Sequence, residues 1–214
     1  AVLEQVAKTF SSENCPEFMA QEVAATWQEY VDYQDIRVLE IGMDLAYFDH
    51  LKCLAKDLDH PLLKSLVTLT IDCYNVITVE RALSLKKPNS FMKQLLSDAG
   101  TFSAREVIQC VEQGNLISWF QQVNPLPYDV ELTQYEEQMR AGRVTAETVE
   151  YLEHVLKYRI LEQASFEIDG PLPLARYLFG KELEVKNLRL VLTGLDNQLP
   201  IDKIKERMRP IYGQ

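Results

Sequence analysis

Residues 61–96 align with residues 173–208 at a constant offset of 112, without a gap. Eight positions are identical: Pro61 and Pro173, Leu62 and Leu174, Leu66 and Leu178, Asn75 and Asn187, Val79 and Val191, Leu83 and Leu195, Pro88 and Pro200, Lys93 and Lys205. Chance would give about two identities in such a window at ordinary residue usage. Conservative pairs fall between them: Lys64 and Arg176, Ile71 and Leu183, Asp72 and Glu184, Val76 and Leu188. Each version opens on a proline, which suits a first helical turn because its missing N–H would be unpaired there anyway. Each carries an acid and, three residues later, an asparagine. Positions i and i+3 share a helix face. A second Pro-started helix follows each. Such a repeat predicts a fold assembled from versions of one helical unit.

The rest of the chain reads the same way. "CPEFMAQEVAATWQEYVDY" carries apolar residues at Phe18, Val23, Trp27, Tyr30 and Val31, a period near that of a helix. "GMDLAYFDHLKCLAKDL" has a helical stripe of Leu45, Phe48, Leu51, Leu54, Ala55 and Leu58. In the helix starting at Pro61, Leu62, Leu66, Leu69, Cys73 and Val76 line one face. Its β-branched runs "VTLTI" and "NVITV" mimic strands. They lie inside one stripe with no Gly or Pro between them, so helix is predicted. Ser103 followed by Glu106 forms a capping box, and Thr145 is a candidate N-cap. Loops are expected at "KKPN", "SDAGT", "VNPLPYD", "MRAGRV", "EIDGPLP" and "LDNQLP". The predicted class is all-α.

The asparagines need a reason. Inside a helix, Asn competes for backbone hydrogen bonds and weakens it slightly. Its recurrence at one place in both versions points to a structural hydrogen bond, to a neighbouring helix end or an Arg. The alternatives are an exposed Asn without a role, or a ligand contact.

Bulk properties narrow the function. The chain has 214 residues and a net charge of -10. That charge disfavours a nucleic-acid phosphate backbone and suits a basic protein partner. The longest apolar runs, such as "NVITV" and "LISWF", are too short to span a bilayer. Cys15, Cys53, Cys73 and Cys110 form no CxxC pair and read as reduced packing residues. No phosphate-binding loop is present: "DAGTFSARE" has one Gly and no Lys-Ser/Thr pair.

Candidate chemistry is thin. His50 and Cys53 share a helix face, but a metal needs three or four converging ligands. His60 precedes Pro61 and reads as a junction residue. His154, beside Glu153, is expected on an exposed face. Asp57–Asp59 and Glu136–Glu137 are expected to be solvated charges among 32 acids. Trp27 and Trp119 are expected to anchor helix packing. Catalytic, cofactor-binding and metal residues are therefore expected to be none. The positions singled out are the structural ones: Asp72, Asn75, Glu184, Asn187 and Arg189.

Three features carry a family resemblance: Tyr47–Phe48 after Asp44; "IDxxN" at Ile71 to Asn75; and "KExExxNLRLxLxG" from Lys181 to Gly194, followed by "LPxxxIxERxRP". With "LLSDAGTFS" they resemble the C-subunit family of V-type (A-type) ATPases, whose eukaryotic equivalent is the d-subunit of the vacuolar ATPase. The resemblance covers roughly residues 15–214. It implies an all-helical fold of three lobes around a pseudo-threefold funnel, of which two are legible here. The expected division is N-terminal helices at 1–38, leading from a missing or truncated lobe, then lobes at 39–141 and 142–214. One departure concerns arginine: Arg189 lies two residues after Asn187, whereas Arg81 lies six after Asn75. The resemblance implies a non-catalytic rotor adaptor, peripheral on the cytoplasmic face of the membrane. Its partners would be the central-shaft subunits and the membrane rotor ring, with no cofactor, small-molecule ligand, nucleic acid or membrane span. A helical-repeat binding scaffold unrelated to a rotary motor is the alternative.

Overall fold

The structure, a computed structural model, describes Thr9 and residues 16–123, 130–142, 144–211 and 213. Among these residues every regular element is a helix. They are α1 (Glu17–Tyr33), α2 (Arg37–Asp57), α3 (Pro61–Ser84), α4 (Asn89–Leu95), α5 (Ala104–Glu112), α6 (Ile117–Val123), α7 (Val130–Arg140), α8 (Ala146–Glu162), α9 (Leu172–Asp196) and α10 (Ile201–Glu206). The expected all-α class holds. "VTLTI" and "NVITV" both lie within α3. The loop expected at "VNPLPYD" and the residue Cys15 lie largely or wholly outside the described residues.

The helix starts follow local chemistry. Pro61 opens α3, and the His60 ring accepts a hydrogen bond from the Leu62 N–H at 3.3 Å. Ser103 and Glu106 form the reciprocal capping box of α5. The Thr145 side chain caps α8 through the Thr148 N–H. Each satisfies an N–H that the helix cannot pair internally.

Helix α3 is the centre of the molecule. Leu69, Cys73, Val76, Ile77, Val79 and Ala82 are all buried, in one cluster with Trp119 and Phe120 of α6 and Leu152 and Leu156 of α8. Each buried aliphatic chain of this kind contributes about 1.5–3 kcal/mol from desolvation. Its most extensive partner is α8, with α2 and α5 on other sides. The α3–α8 pair is antiparallel. The Ala146 N–H, at the start of α8, donates to Glu80 near the end of α3, at 3.2 Å. Leu62 and Leu66, at the start of α3, pack with Leu161 and Ala164 at the end of α8.

By length and composition, α3 alone among the described residues is long and apolar enough to cross a membrane. It also carries Asp72 and Asn75, both fully buried against protein.

Helices α1 and α2 form a second pair, with Ala20 and Val23 buried against Trp27 and Met43. They approach closely at Gly42, where a Cβ would lie 2.5 Å from the Glu22 carboxylate and 2.7 Å from the Thr26 methyl. Trp119 is fully buried, as its packing role required, and Trp27 is half-buried.

Candidate functional site

Asn75 points from α3 onto the loop after α4. Its side-chain nitrogen donates to the Ser97 carbonyl at 2.8 Å, and its oxygen accepts from the Ser97 N–H at 3.0 Å. One residue thus satisfies both backbone polar groups of a buried residue, as a strand neighbour would. Asp72, one turn earlier, accepts from the Thr101 N–H at 2.7 Å. The two side chains hold one loop at both ends. Gly100 sits between them, and a Cβ there would fall 2.3 Å from the Asp72 carboxylate. Burial raises the Asp72 carboxyl above its usual range, opposed by hydrogen bonds from Thr101 and Phe102 and by the charge of Lys52.

Asn187 makes the same two bonds on α9. Its nitrogen donates to the Arg209 carbonyl at 3.0 Å and its oxygen accepts from the Arg209 N–H at 2.9 Å. Both clamps reach 22 residues forward, past a short helix. The acids differ. Glu184 is half-buried and pairs with Lys181 at 2.8 Å on its own helix. Arg189 is exposed, and Arg81 pairs with Glu150 of α8. The asparagine partner is therefore backbone in each case, and Arg209 takes part through its main chain rather than its guanidinium. A shared forward spacing was the available signal for these partners. It is faint, because Ser97 and Arg209 have nothing in common as side chains.

His154 corrects an expectation. It is buried on the α8–α9 contact and not on an exposed face. The Lys186 ammonium lies 2.6 Å from its Nε2, and Lys186 also pairs with Glu182 at 2.5 Å. Burial pushes the imidazole down to about 4, helped by the positive charges of Lys186, Arg209 and Lys157. A neutral ring that accepts from an ammonium is the arrangement this requires. No sequence signal separates a buried from a solvated His on an amphipathic helix; the ring turned inward because α9 lies over it.

Between α7, α8 and the C-terminal segment runs a groove of about 980 Å³. Tyr135, Tyr151 and Tyr158 line it, with Arg159, Lys203 and Arg207 at its edge. Arg207 pairs with Glu147 at 2.8 Å, and the Tyr158 hydroxyl donates to the Ile211 carbonyl at 3.2 Å. Such a lining suits polar and aromatic contacts with a protein. It assembles no pairing of nucleophile and base, and no group of three metal-binding side chains occurs among the described residues.

Comparison with known proteins gives the setting. The model of the ATP synthase (C/AC39) subunit family matches residues 2–207. The chain is 26% identical over 213 residues to the C-subunit of a V-type sodium ATPase from Enterococcus hirae. That match covers 99% of this chain and 63% of the relative, so the chain spans less than two thirds of the relative's length. No solved structure matches. A helical scaffold whose buried polar residues hold backbone together, matched along almost its whole length, makes this chain a member of the ATP synthase (C/AC39) subunit family.

Proposed function

We propose that the chain is a non-catalytic component of a V-type rotary ATPase, an adaptor that links the central shaft to the membrane rotor ring and transmits torque between them. The family match over residues 2–207 carries this reading. Two physical features support it. A torque-bearing part must resist shear between its helices, and buried side-chain-to-backbone clamps tie loops to helices across long sequence separations. The net charge of -10 favours fast, salt-sensitive docking of a basic partner. In this reading the adaptor sits peripherally on the cytoplasmic face of the membrane.

The adaptor would be built from two related lobes, at 39–141 and 142–214. The offset of 112 supports this. Shifting the bounds of α3 by 112 gives 173–196, against Leu172–Asp196 for α9, and shifting α4 gives 201–207, against Ile201–Glu206 for α10. The acid–Asn positions Asp72, Asn75, Glu184 and Asn187 would then be equivalent structural ties, with Arg189 on the outer face.

The test is a pull-down of the purified chain with the shaft subunits and, separately, with detergent-solubilised ring. The expected result is retention at low salt that weakens as salt rises. Absence of binding to either would overturn the adaptor reading and leave the unrelated helical scaffold.

A further inference from the structure

The Arg209 guanidinium has no role in the clamp that its main chain completes. Asn187 holds both the Arg209 N–H and its carbonyl, so the root of the side chain is fixed. The residue lines the groove between α7, α8 and the C-terminal segment. No carboxylate among the described residues pairs with it, and its Nε is buried without a hydrogen-bond partner. The acids on the groove are engaged elsewhere. Glu147 bridges Arg207 at 2.8 Å, Glu206 bridges Lys203 at 3.1 Å, and Glu150 bridges Arg81. A fixed cation with a buried, unpaired N–H keeps donor capacity for an acceptor from outside the chain.

A second buried donor lies near it. His154 is 9% exposed, and on α8 it follows Tyr151 by three residues and precedes Tyr158 by four, so the three share a face. The Lys186 ammonium can only donate. The imidazole Nε2 therefore accepts from it, and the ring proton sits on Nδ1. That Nδ1 is buried and has no hydrogen-bond partner. Arg209 is close enough for its charge to act on the ring. Buried donors left unpaired are uncommon in folded proteins, and here two are neighbours. A carboxylate suits both, because its two oxygens only accept.

The groove is long enough for a chain and not only for an ion. Its α8 side runs from Glu147 to Arg159, about 18 Å at 1.5 Å per residue. About five or six residues of extended chain, at about 3.3 Å each, span that length. Tyr135, Tyr151 and Tyr158 give it half-buried aromatic walls that can pack on a peptide. We infer that this groove binds an extended acidic segment of a partner protein, with one Glu or Asp carboxylate seated on the Arg209 guanidinium and the His154 Nδ1–H. Such a partner is opposite in charge to the basic one that the net charge of -10 favours. The local donors select it, not the overall field. The inference stands on the groove alone and does not rest on the adaptor reading.

Titration of the purified chain with acetyl-hexaglutamate amide tests this, followed by calorimetry and by nitrogen NMR of the histidine rings. Acetyl-hexalysine amide and inorganic phosphate are the controls. Hexaglutamate is expected to bind one to one and to move the Nδ1 signal of His154, while the signals of His50 and His60 stay. Arg209→Gln is expected to weaken binding about tenfold or more, because a charge-assisted bond is lost, and Arg209→Lys to keep part of it. Both changes leave the main chain that Asn187 holds, and circular dichroism checks that the helices persist. Absence of hexaglutamate binding overturns the proposal and leaves both donors to water. So does hexalysine that binds equally well, phosphate that displaces the peptide at equal concentration, an Arg209→Gln variant that binds like the wild type, or a His154 signal that does not move. The wild-type titration and the His154 signal decide the matter even where a variant folds poorly.

Discussion

Helices α3 and α9 align residue for residue, yet they live in different surroundings. Both begin at a proline turn, and both carry an Asn that holds backbone 22 residues ahead. Helix α3 is buried on several sides, against α8, α2 and α5; α9 is buried on one side and open on the other. The same apolar seam is core in the first and surface in the second. Hydrophobic spacing thus encodes a readiness to pack. Whether burial follows depends on whether another helix arrives.

That comparison can be broken first at the seam itself. Val76→Asp places an unpaired charge in the centre of the α3–α8 contact and is expected to cost more than about 4 kcal/mol, enough to unfold a marginal domain. Leu188→Asp, at the aligned and exposed position of α9, is expected to change stability by no more than about 0.5 kcal/mol. Urea unfolding of the two variants checks the contrast; equal losses would mean that α9 is as enclosed as α3.

The next effect is pH-dependent and belongs to the α9 side. The His154 imidazole is held neutral, at about 4 against an ordinary 6.5. A group depressed in the folded state binds its proton more readily when unfolded. Its contribution is therefore complete above about 6.5 and lost as pH falls through 6.5 toward 4. The full difference is on the order of 3 kcal/mol. His154→Gln is expected to flatten this part of the stability profile, measured by thermal melts between pH 7 and pH 4. The buried groups of α3 shift the other way: burial raises the Asp72 carboxyl and holds the Cys73 thiol protonated.

The smallest effect compares the two clamps. Asn75→Leu leaves the Ser97 N–H and carbonyl unpaired in a fully buried site, at an expected cost of about 2–3 kcal/mol. Asn187→Leu does the same to Arg209, which is only half-buried, so water can repair part of the loss and about 1 kcal/mol is expected. Chemical unfolding again provides the measurement. Hydrogen exchange at Ser97 and Arg209 sharpens it, with fast exchange expected only at the amide whose Asn is replaced. Unchanged stability in both variants would remove the structural role of the pair.

Much of the local structure was legible. The proline starts, the capping box at Ser103 and Glu106, the Thr145 cap and the helical reading of "VTLTI" follow from short-range chemistry and appear as expected. The recurrence of Asn75 and Asn187 pointed to a structural hydrogen bond, with an exposed Asn or a ligand contact as alternatives, and each makes two bonds to backbone. Their actual partners were not, since Ser97 and Arg209 are recognised by backbone, which every residue possesses. His154 was misplaced for a related reason. Its helix is amphipathic with a broad apolar face, and only the arrival of α9 with Lys186 turned the border position inward.

Side-chain order alone makes the chain helical, places the starts of its principal helices, and gives residues 61–96 and 173–208 one shared pattern with a family resemblance. Those properties depend on periodicity and on contacts within a few residues, which the order of side chains specifies directly. Long-range packing sets Asp72 and Asn75 on one loop while Glu184 turns to Lys181, buries His154, and leaves one apolar face of α9 open while the aligned face of α3 is closed. Each of these turns on which distant segment comes to lie against a helix, and a helix's own residues announce a face without naming its neighbour.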